Sequence, residues 1–428
     1  MTSPAALGRR IAAYRAAHPG AVAAPIGGRI PSRELADRLA RAVDGEVARG
    51  ERGTVVRVEP VAVSVPVDRD RLAGLPGQPP PDAPLVCLDT ETTGLGTATG
   101  TLAFLVGLGW WRGSRFEQLQ LLIPDHADEP ALLDALADAL PPDAWLVTYN
   151  GRTFDWPLLV TRYRMDRRAA PALSGHLDLL PHVRRLFRHR LEDARLATVE
   201  RDVLGVRREG DVAGWEIPSR YLDFVRGGPA RPLEAVLTHN ADDVVALARL
   251  LAHFDACYAD SSVRTLAPAG DLVALARAFT RDRRHHDALD CLDEADAAWR
   301  PATLGSAAWP FGVPAPSPAL LSRDRIRAER ARTLRRLGRT DEALAAWEAL
   351  AADGGAMGPR AWVEAAKVRE HALRDPAGAL RAAESADRAA ERIRLRWGGD
   401  PDFETALAAR LRRLRRRTAA GISAAPTA

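Results

Sequence analysis

Apolar positions change their period several times along the chain. Over residues 32–49 the spacing is helical, and Ser32 is placed to cap that helix. Thr54–Val65 alternates as a strand does. Asp68–Pro84 is rich in Pro and Gly and reads as a linker, so residues 1–83 form an N-terminal helix/strand segment ending in that linker. From 84 to 256 strands and helices mix. Strands are predicted at Leu85–Asp89, Leu102–Trp111, Phe116–Pro124, Trp145–Asn150 and Gly175–Leu179. Helices are predicted at Asp128–Leu140, Thr153–Met165 and Leu233–Phe254. Three strands in a meander followed by helix–strand–helix–strand fit a mixed five-stranded sheet flanked by helices, an α/β domain.

From about Asp271 the pattern becomes purely helical. Residues 270–418 make an all-α domain, and 419–428 are expected to be a disordered tail. An Ala-Leu motif recurs at Ala288-Leu289, Ala343-Leu344 and Ala379-Leu380. The last two start 36 residues apart, near the ~34 of tetratricopeptide repeats, and each is preceded by another amphipathic helix. A helical-repeat domain is one reading; a generic helical bundle is the other, since Ala/Leu-rich helices imitate the spacing.

Composition changes this picture little. Of 428 residues, 46% are hydrophobic and 27% charged, the balance of a globular chain with room for two or three domains. No apolar run approaches the ~20 residues of a membrane helix, and no secretory leader is visible at the N-terminus. The odd number of widely spaced cysteines (Cys87, Cys257, Cys291) argues against a zinc site or disulfide framework and for a reducing, cytoplasmic setting. The net charge of +4 hints at nucleic acid, but Lys367 is the only lysine, so the wealth of arginine reflects base composition more than a binding face. An arginine run at 410–417 reads first as a solvated basic face, with phosphate contact as the alternative.

The chemistry lies in three segments. Asp89 and Glu91 close the strand that begins at Leu85, and alternation points them to one side. Carboxylates so close repel unless a cation sits between them, and a hard divalent ion takes oxygen ligands. Asp155 follows a strand end and a glycine turn in Asn150-Gly151-Arg152-Thr153-Phe154-Asp155; in isolation it is a helix-start carboxylate. His239 and Asp243 share a face of the last helix, while Asp242 is turned about 100° away toward water. Taken together and in this order, four carboxylates and one imidazole meet the needs of two cations clamping a phosphodiester, with the imidazole near neutrality able to take a proton.

These residues resemble the DEDD 3′–5′ exonuclease superfamily of the RNase H-like fold, and within it the bacterial YprB-type family. The resemblance covers about Leu85 to Leu251. It is carried by Asp89–Leu95, Gly100–Gly107, Asn150–Pro157, His176–Leu180 and His239–Val244. It implies an RNase H-like α/β domain with Asp89, Glu91, Asp155 and Asp243 as ligands of two Mg²⁺ or Mn²⁺ ions and His239 as general base. Thr92, Leu95, Asn150 and Phe154 would line the terminal nucleotide. The superfamily uses a histidine five residues before its last aspartate or a tyrosine four before; here a histidine stands at the tyrosine spacing. His176 and Asp178 read as structural. The expected function is a metal-dependent nuclease, a 3′–5′ exonuclease on single-stranded DNA or RNA, with the helical region as a platform for substrate or a protein partner. The alternatives are a non-catalytic nucleic-acid-binding protein and a helical-repeat scaffold.

Overall fold

A computed structural model describes residues 30–67, 79–94, 100–300 and 322–423. The chain divides into two compact units: residues 1–184 with 191–260, and residues 185–190 with 261–428. The break at Asp260 lies within the interval 256–270 left between the expected domains.

The first unit is built on one sheet of eight strands, where five were expected. Its strands are β1 (Glu46–Gly50), β2 (Gly53–Val58), β3 (Val63–Ser64), β4 (Leu85–Thr92), β5 (Ala103–Arg112), β6 (Arg115–Leu122), β7 (Trp145–Thr148) and β8 (Gly175–Asp178). They lie in the order β1-β2-β6-β5-β4-β7-β8, with β3 also on β6. The five expected strands all form. The extra three come from residues 46–64, read as part of a separate N-terminal segment; β2 pairs antiparallel with β6 through Val56↔Leu122 and extends the same sheet. β4 is antiparallel to β5 and parallel to β7, so the sheet is mixed.

Helix α1 (Ser32–Val43) is shorter than its sequence pattern. Asp44 takes a left-handed conformation (φ 50°), which ends the helix and turns the chain into β1. Ser32 does not cap it: its hydroxyl donates to Asp128 Oδ2 at 2.5 Å. The longer helices that accompany the sheet are α2 (Glu129–Ala139), α3 (Asp155–Met165), α4 (Leu180–Leu186), α5 (Ile217–Val225) and α6 (Glu234–Ala259). Leu35 and Leu39 of α1, Leu121 of β6, Leu132 and Leu136 of α2, and Tyr221 and Phe224 of α5 share one buried core with Val86 and Leu88 of β4. The Phe104 and Tyr221 rings stack at 4.0 Å. Burying such side chains stabilises by roughly 1.5–3 kcal/mol each, which fixes the sheet that carries the site.

The second unit contains α7 (Ala269–Arg281), α8 (His285–Ala298), α9 (Arg323–Arg336), α10 (Thr340–Ala352), α11 (Gly358–His371), α12 (Pro376–Trp397) and α13 (Pro401–Ser423), each packed on the next. The Ala-Leu motif recurs in one structural setting. A left-handed residue, Arg283, Gly338 or Arg374, stands two places ahead of α8, α10 and α12, and the motif alanine is the fourth residue of that helix. Ala288, Ala343 and Ala379 are all fully buried. Their amides donate to the carbonyls of Arg284, Arg339 and Asp375. The three turns therefore repeat in geometry as well as in sequence.

The arginine run is mostly exposed, as a solvated face would be, but it is also paired within the helical unit. Arg410, Arg413 and Arg417 all bond Glu370, which is only 4% exposed, and Arg415 pairs with Glu384 at 3.5 Å. Half of the run is thus paired with one buried carboxylate, although Arg413 and Arg417 remain about half exposed and only Arg410 is largely covered. α13 continues to Ser423, into the stretch expected as a tail; residues 424–428 lie outside the described residues. All three cysteines are free, Cys87 and Cys291 buried. Among the described residues no helix is long and apolar enough to cross a membrane.

Candidate active site

Asp89 and Glu91 stand on β4, two residues apart and on one face. The pairing of β4 with β5 slips between Glu91 and Thr92, a bulge that ends the regular ladder beside the carboxylates. Burial pushes both carboxyls well above their ordinary range. The negative charges of Asp243 and Asp155 push Asp89 further, and those of Asp89, Asp243 and Asp155 push Glu91.

Helix α6 reaches this face because two glycines let it in. A methyl group on Gly107 would lie 2.2 Å from Asn240 Oδ1, and one on Gly109 would lie 2.7 Å from Val244. One helical step of four residues advances ~6 Å, and two strand residues advance ~6.6 Å, so Asn240 and Val244 seat over alternate residues of β5. Asn240 is fully buried. Its Nδ2 donates to Asp89 Oδ2 at 2.9 Å, and its Oδ1 accepts from Gln120 Nε2 at 3.0 Å. Asp89, Gly107 and Gln120 are direct partners across β4, β5 and β6. Asn240 thus spans the missing side chain of Gly107 and fixes the aim of Asp89. None of these positioning residues was read as such from the sequence, although Gly107 and Asn240 both lie in quoted motifs.

Asp155 opens α3 and is 6% exposed. Thr90, between the two β4 carboxylates, donates to its Oδ1 at 2.5 Å. Burial raises its pKa to about 6, against the opposing pull of the Thr90 hydrogen bond. The turn that delivers Asp155 is organised by Asp178, which accepts from the amides of Asn150 (2.8 Å) and Arg152 (3.2 Å). His176 lies 2.8 Å from the Thr148 hydroxyl; burial, aided by Arg152, lowers its pKa to about 4 and keeps the ring neutral. Both residues are structural, as expected.

His239 and Asp243 lie together on α6. His239 Nε2 is 3.9 Å from Glu91 Oε1 and 3.7 Å from Asp243 Oδ2, and its Nδ1 is 2.6 Å from Asp211 Oδ1. The Asp211 carboxylate on Nδ1 orients the ring and turns Nε2 toward the cluster. Asp211 was not singled out in the sequence; it sits in a loop with no periodic signal. The same loop supplies Arg208. Its Nη2 is 2.6 Å from Asp243 Oδ1 and 2.5 Å from Glu200 Oε2. Asp242, expected to face water, is half-buried, and burial raises its pKa.

The four candidate ligands thus converge electrostatically, each of Asp155, Asp243 and Asp89 acting on Glu91. Their oxygen chemistry suits a hard divalent cation, whose charge would relieve the mutual repulsion. The cluster is nevertheless not closed: among the described residues, no group of three His, Cys, Asp or Glu side chains is set to hold an ion as it stands. Asp89 and Asp243 each have an oxygen committed to a protein donor, Asn240 and Arg208.

The expected nucleotide-lining residues fall in different places. Thr92 is buried and its hydroxyl donates to the Gly94 carbonyl at 2.6 Å. Asn150 is exposed in a left-handed turn (φ 66°) and accepts from the Thr153 hydroxyl. Phe154 is half-buried at the head of α3. Leu95 lies outside the described residues.

Comparison with known proteins agrees with this architecture. The family model of the RNase H superfamily matches residues 86–255, so that stretch is an RNase H-like domain. Over 171 residues the chain is 39% identical to the uncharacterized protein YprB of Bacillus subtilis (strain 168). The match takes in 40% of this chain and 41% of that protein's length, so the RNase H-like stretch is of the YprB type while most of either chain lies outside it.

Proposed function

We propose that this protein is a metal-dependent nuclease that hydrolyses phosphodiester bonds of nucleic acid, acting from a free 3′ end on single-stranded DNA or RNA. The observation that carries the reading is the convergence of Asp89, Glu91, Asp155 and Asp243 beside a histidine oriented by Asp211. An RNase H-like domain suggests nuclease-type activity, which fits that chemistry.

Asp89, Glu91, Asp155 and Asp243 would hold two divalent cations, Mg²⁺ or Mn²⁺. Once bound, these would supply positive charge to the scissile phosphate and its leaving oxygen. The protein's own contribution is orientation and proton transfer. Asn240 holds Asp89 from one side, and Thr90 holds Asp155 from the other. His239, with Nδ1 committed to Asp211, takes a proton at Nε2 from the attacking water. The water oxygen bonds to phosphorus, the bond to the leaving sugar oxygen breaks, and that oxygen takes a proton from solvent, to which His239 later returns its own. Asp211 stabilises the imidazolium that forms. The helical unit, with its repeated turns, would act as a tetratricopeptide-like platform for substrate or a protein partner, and the free cysteines suit a cytoplasmic setting.

The test is cleavage of end-labelled single-stranded DNA and RNA with Mg²⁺ or Mn²⁺, resolving product lengths. The expected result is mononucleotide release from the 3′ end, lost in Asp89→Asn and reduced ~10²–10⁴-fold in His239→Ala. Cleavage of a circular single strand would make the enzyme an endonuclease. No cleavage of any strand with either ion would overturn the reading.

A further inference from the structure

One arginine is built into the carboxylate cluster. Arg208 is nine-tenths buried, with 10% of its side chain exposed. A single nitrogen, Nη2, serves both Asp243 and Glu200, while Nη1 stands 3.5 Å from Asp211 Oδ2. Its Nε and Nη1 are buried with no hydrogen-bond partner among the described residues. An arginine placed to fix one carboxylate permanently would use its fork in a two-nitrogen grip. Here the grip on Asp243 is through one nitrogen, and unused donors lie beside it.

We propose that Arg208 is a positioning residue that acts as an internal counter-cation: it holds Asp243 in the metal-free protein and releases it to an incoming divalent cation, remaining with Glu200 and Asp211. This rests on the reading of the cluster as a cation site.

Three observations support the exchange. Asp243 Oδ1 is engaged by Arg208 while Oδ2 stands 3.7 Å from His239, so coordination through Oδ1, or through both oxygens, requires Arg208 to give Oδ1 up. The guanidinium charge also reaches Asp89, where it partly offsets the repulsion among the carboxylates. Finally, Glu200 offers Arg208 a place to stay. It is 2% exposed, opens a π-helical turn (Glu200–Leu204) and accepts from Arg208 Nη2 at 2.5 Å. A buried arginine whose only partner left it would be strongly destabilising; with Glu200 in place, release of Asp243 leaves no unpaired buried charge. A dication and a guanidinium sharing one carboxylate repel, so the two states exclude each other.

The exchange predicts opposite effects from the two partners. Mn²⁺ binding to the full chain is measured by calorimetry and by loss of the free-ion electron paramagnetic resonance signal. Arg208→Gln keeps a hydrogen-bond donor but removes the competing charge, and should bind Mn²⁺ about tenfold or more tightly. It should also melt lower without metal. Glu200→Gln removes the standing partner, leaves Arg208 on Asp243, and should bind Mn²⁺ several-fold more weakly. Arg208→Lys restores the charge and should fall near wild type. Unchanged or weaker binding in Arg208→Gln, or the same direction of change in both variants, overturns the proposal; Arg208 would then orient Asp243 for the ion. If Arg208→Gln fails to fold, the Glu200→Gln and Arg208→Lys results decide. Wild type that binds Mn²⁺ no better than Asp89→Asn refutes the cation-site reading itself, and the exchange falls with it.

Discussion

Asp155→Asn isolates the cost of keeping an ionised carboxylate in this cluster without metal. In the fold Asp155 titrates near about 6, against an ordinary value of 3.8, chiefly because it is buried. The sign follows from linkage. Below the ordinary value the carboxyl is protonated both folded and unfolded, and the raised value costs nothing. As pH rises from about 4 through about 6, the unfolded chain gives up its proton more readily than the fold does, and stability is lost. Above that window ionised Asp155 costs on the order of 3 kcal/mol. Asparagine keeps an acceptor for the Thr90 hydroxyl, which donates at 2.5 Å, and carries no charge. Allowing for burial of its amide, a net gain of about 2 kcal/mol remains, which raises the melting temperature by roughly 4–8 °C in a unit of this size. The assay is calorimetric melting of wild type and variant from pH 4 to pH 8, with chelator and then with excess Mn²⁺. With chelator the variant should melt higher at pH 8, and the gap should close toward pH 4. With Mn²⁺ the order should reverse, because only the wild type gains from the ion. A gap that is flat with pH, or a variant less stable than wild type at pH 8 with chelator, would refute the reasoning.

Three further outcomes are expected. Gly107→Ala places a methyl group 2.2 Å from Asn240 Oδ1, so it should lower stability by roughly 1–3 kcal/mol in chemical unfolding and break the alignment of Asp89. Asp211→Asn removes the carboxylate from His239 Nδ1; single-turnover cleavage should fall by roughly 10–100-fold while Mn²⁺ affinity changes little, and equal losses in both would show a purely structural role. Glu370→Gln leaves Arg410, Arg413 and Arg417 without their shared charge partner and should destabilise the helical unit by roughly 1–3 kcal/mol, read as an earlier urea transition, with a loss near zero discounting the cluster.

Local rules carried much of this protein. Two-residue alternation placed Asp89 and Glu91 on one face, and the four-residue helical step placed His239 with Asp243, because both relations are set by backbone geometry alone. The five strands from Leu85 to Asp178 and the helices α2, α3 and α6 were legible for the same reason, whereas α4 and α5 were not placed. Long-range partners were not. Asn240 reaches Asp89 across 151 residues, Gln120 reaches Asn240 across 120, and Arg208 meets Asp243 across 35. Nothing in a buried Asn, a loop Asp or one arginine among many marks these contacts, since each follows from where the sheet and α6 bring backbones together. The same holds for the strands at 46–64: their alternation was visible in part, but only their pairing with β6 placed them in the sheet. The run at 410–417 shows the limit from the other side. Its charge was plain in the sequence, but its role depended on a glutamate on the neighbouring helix that packing had removed from water. Sequence fixed which groups could meet within an element; tertiary packing decided which were paired, buried and held, because burial and pairing are properties of surfaces that exist only once the elements have packed.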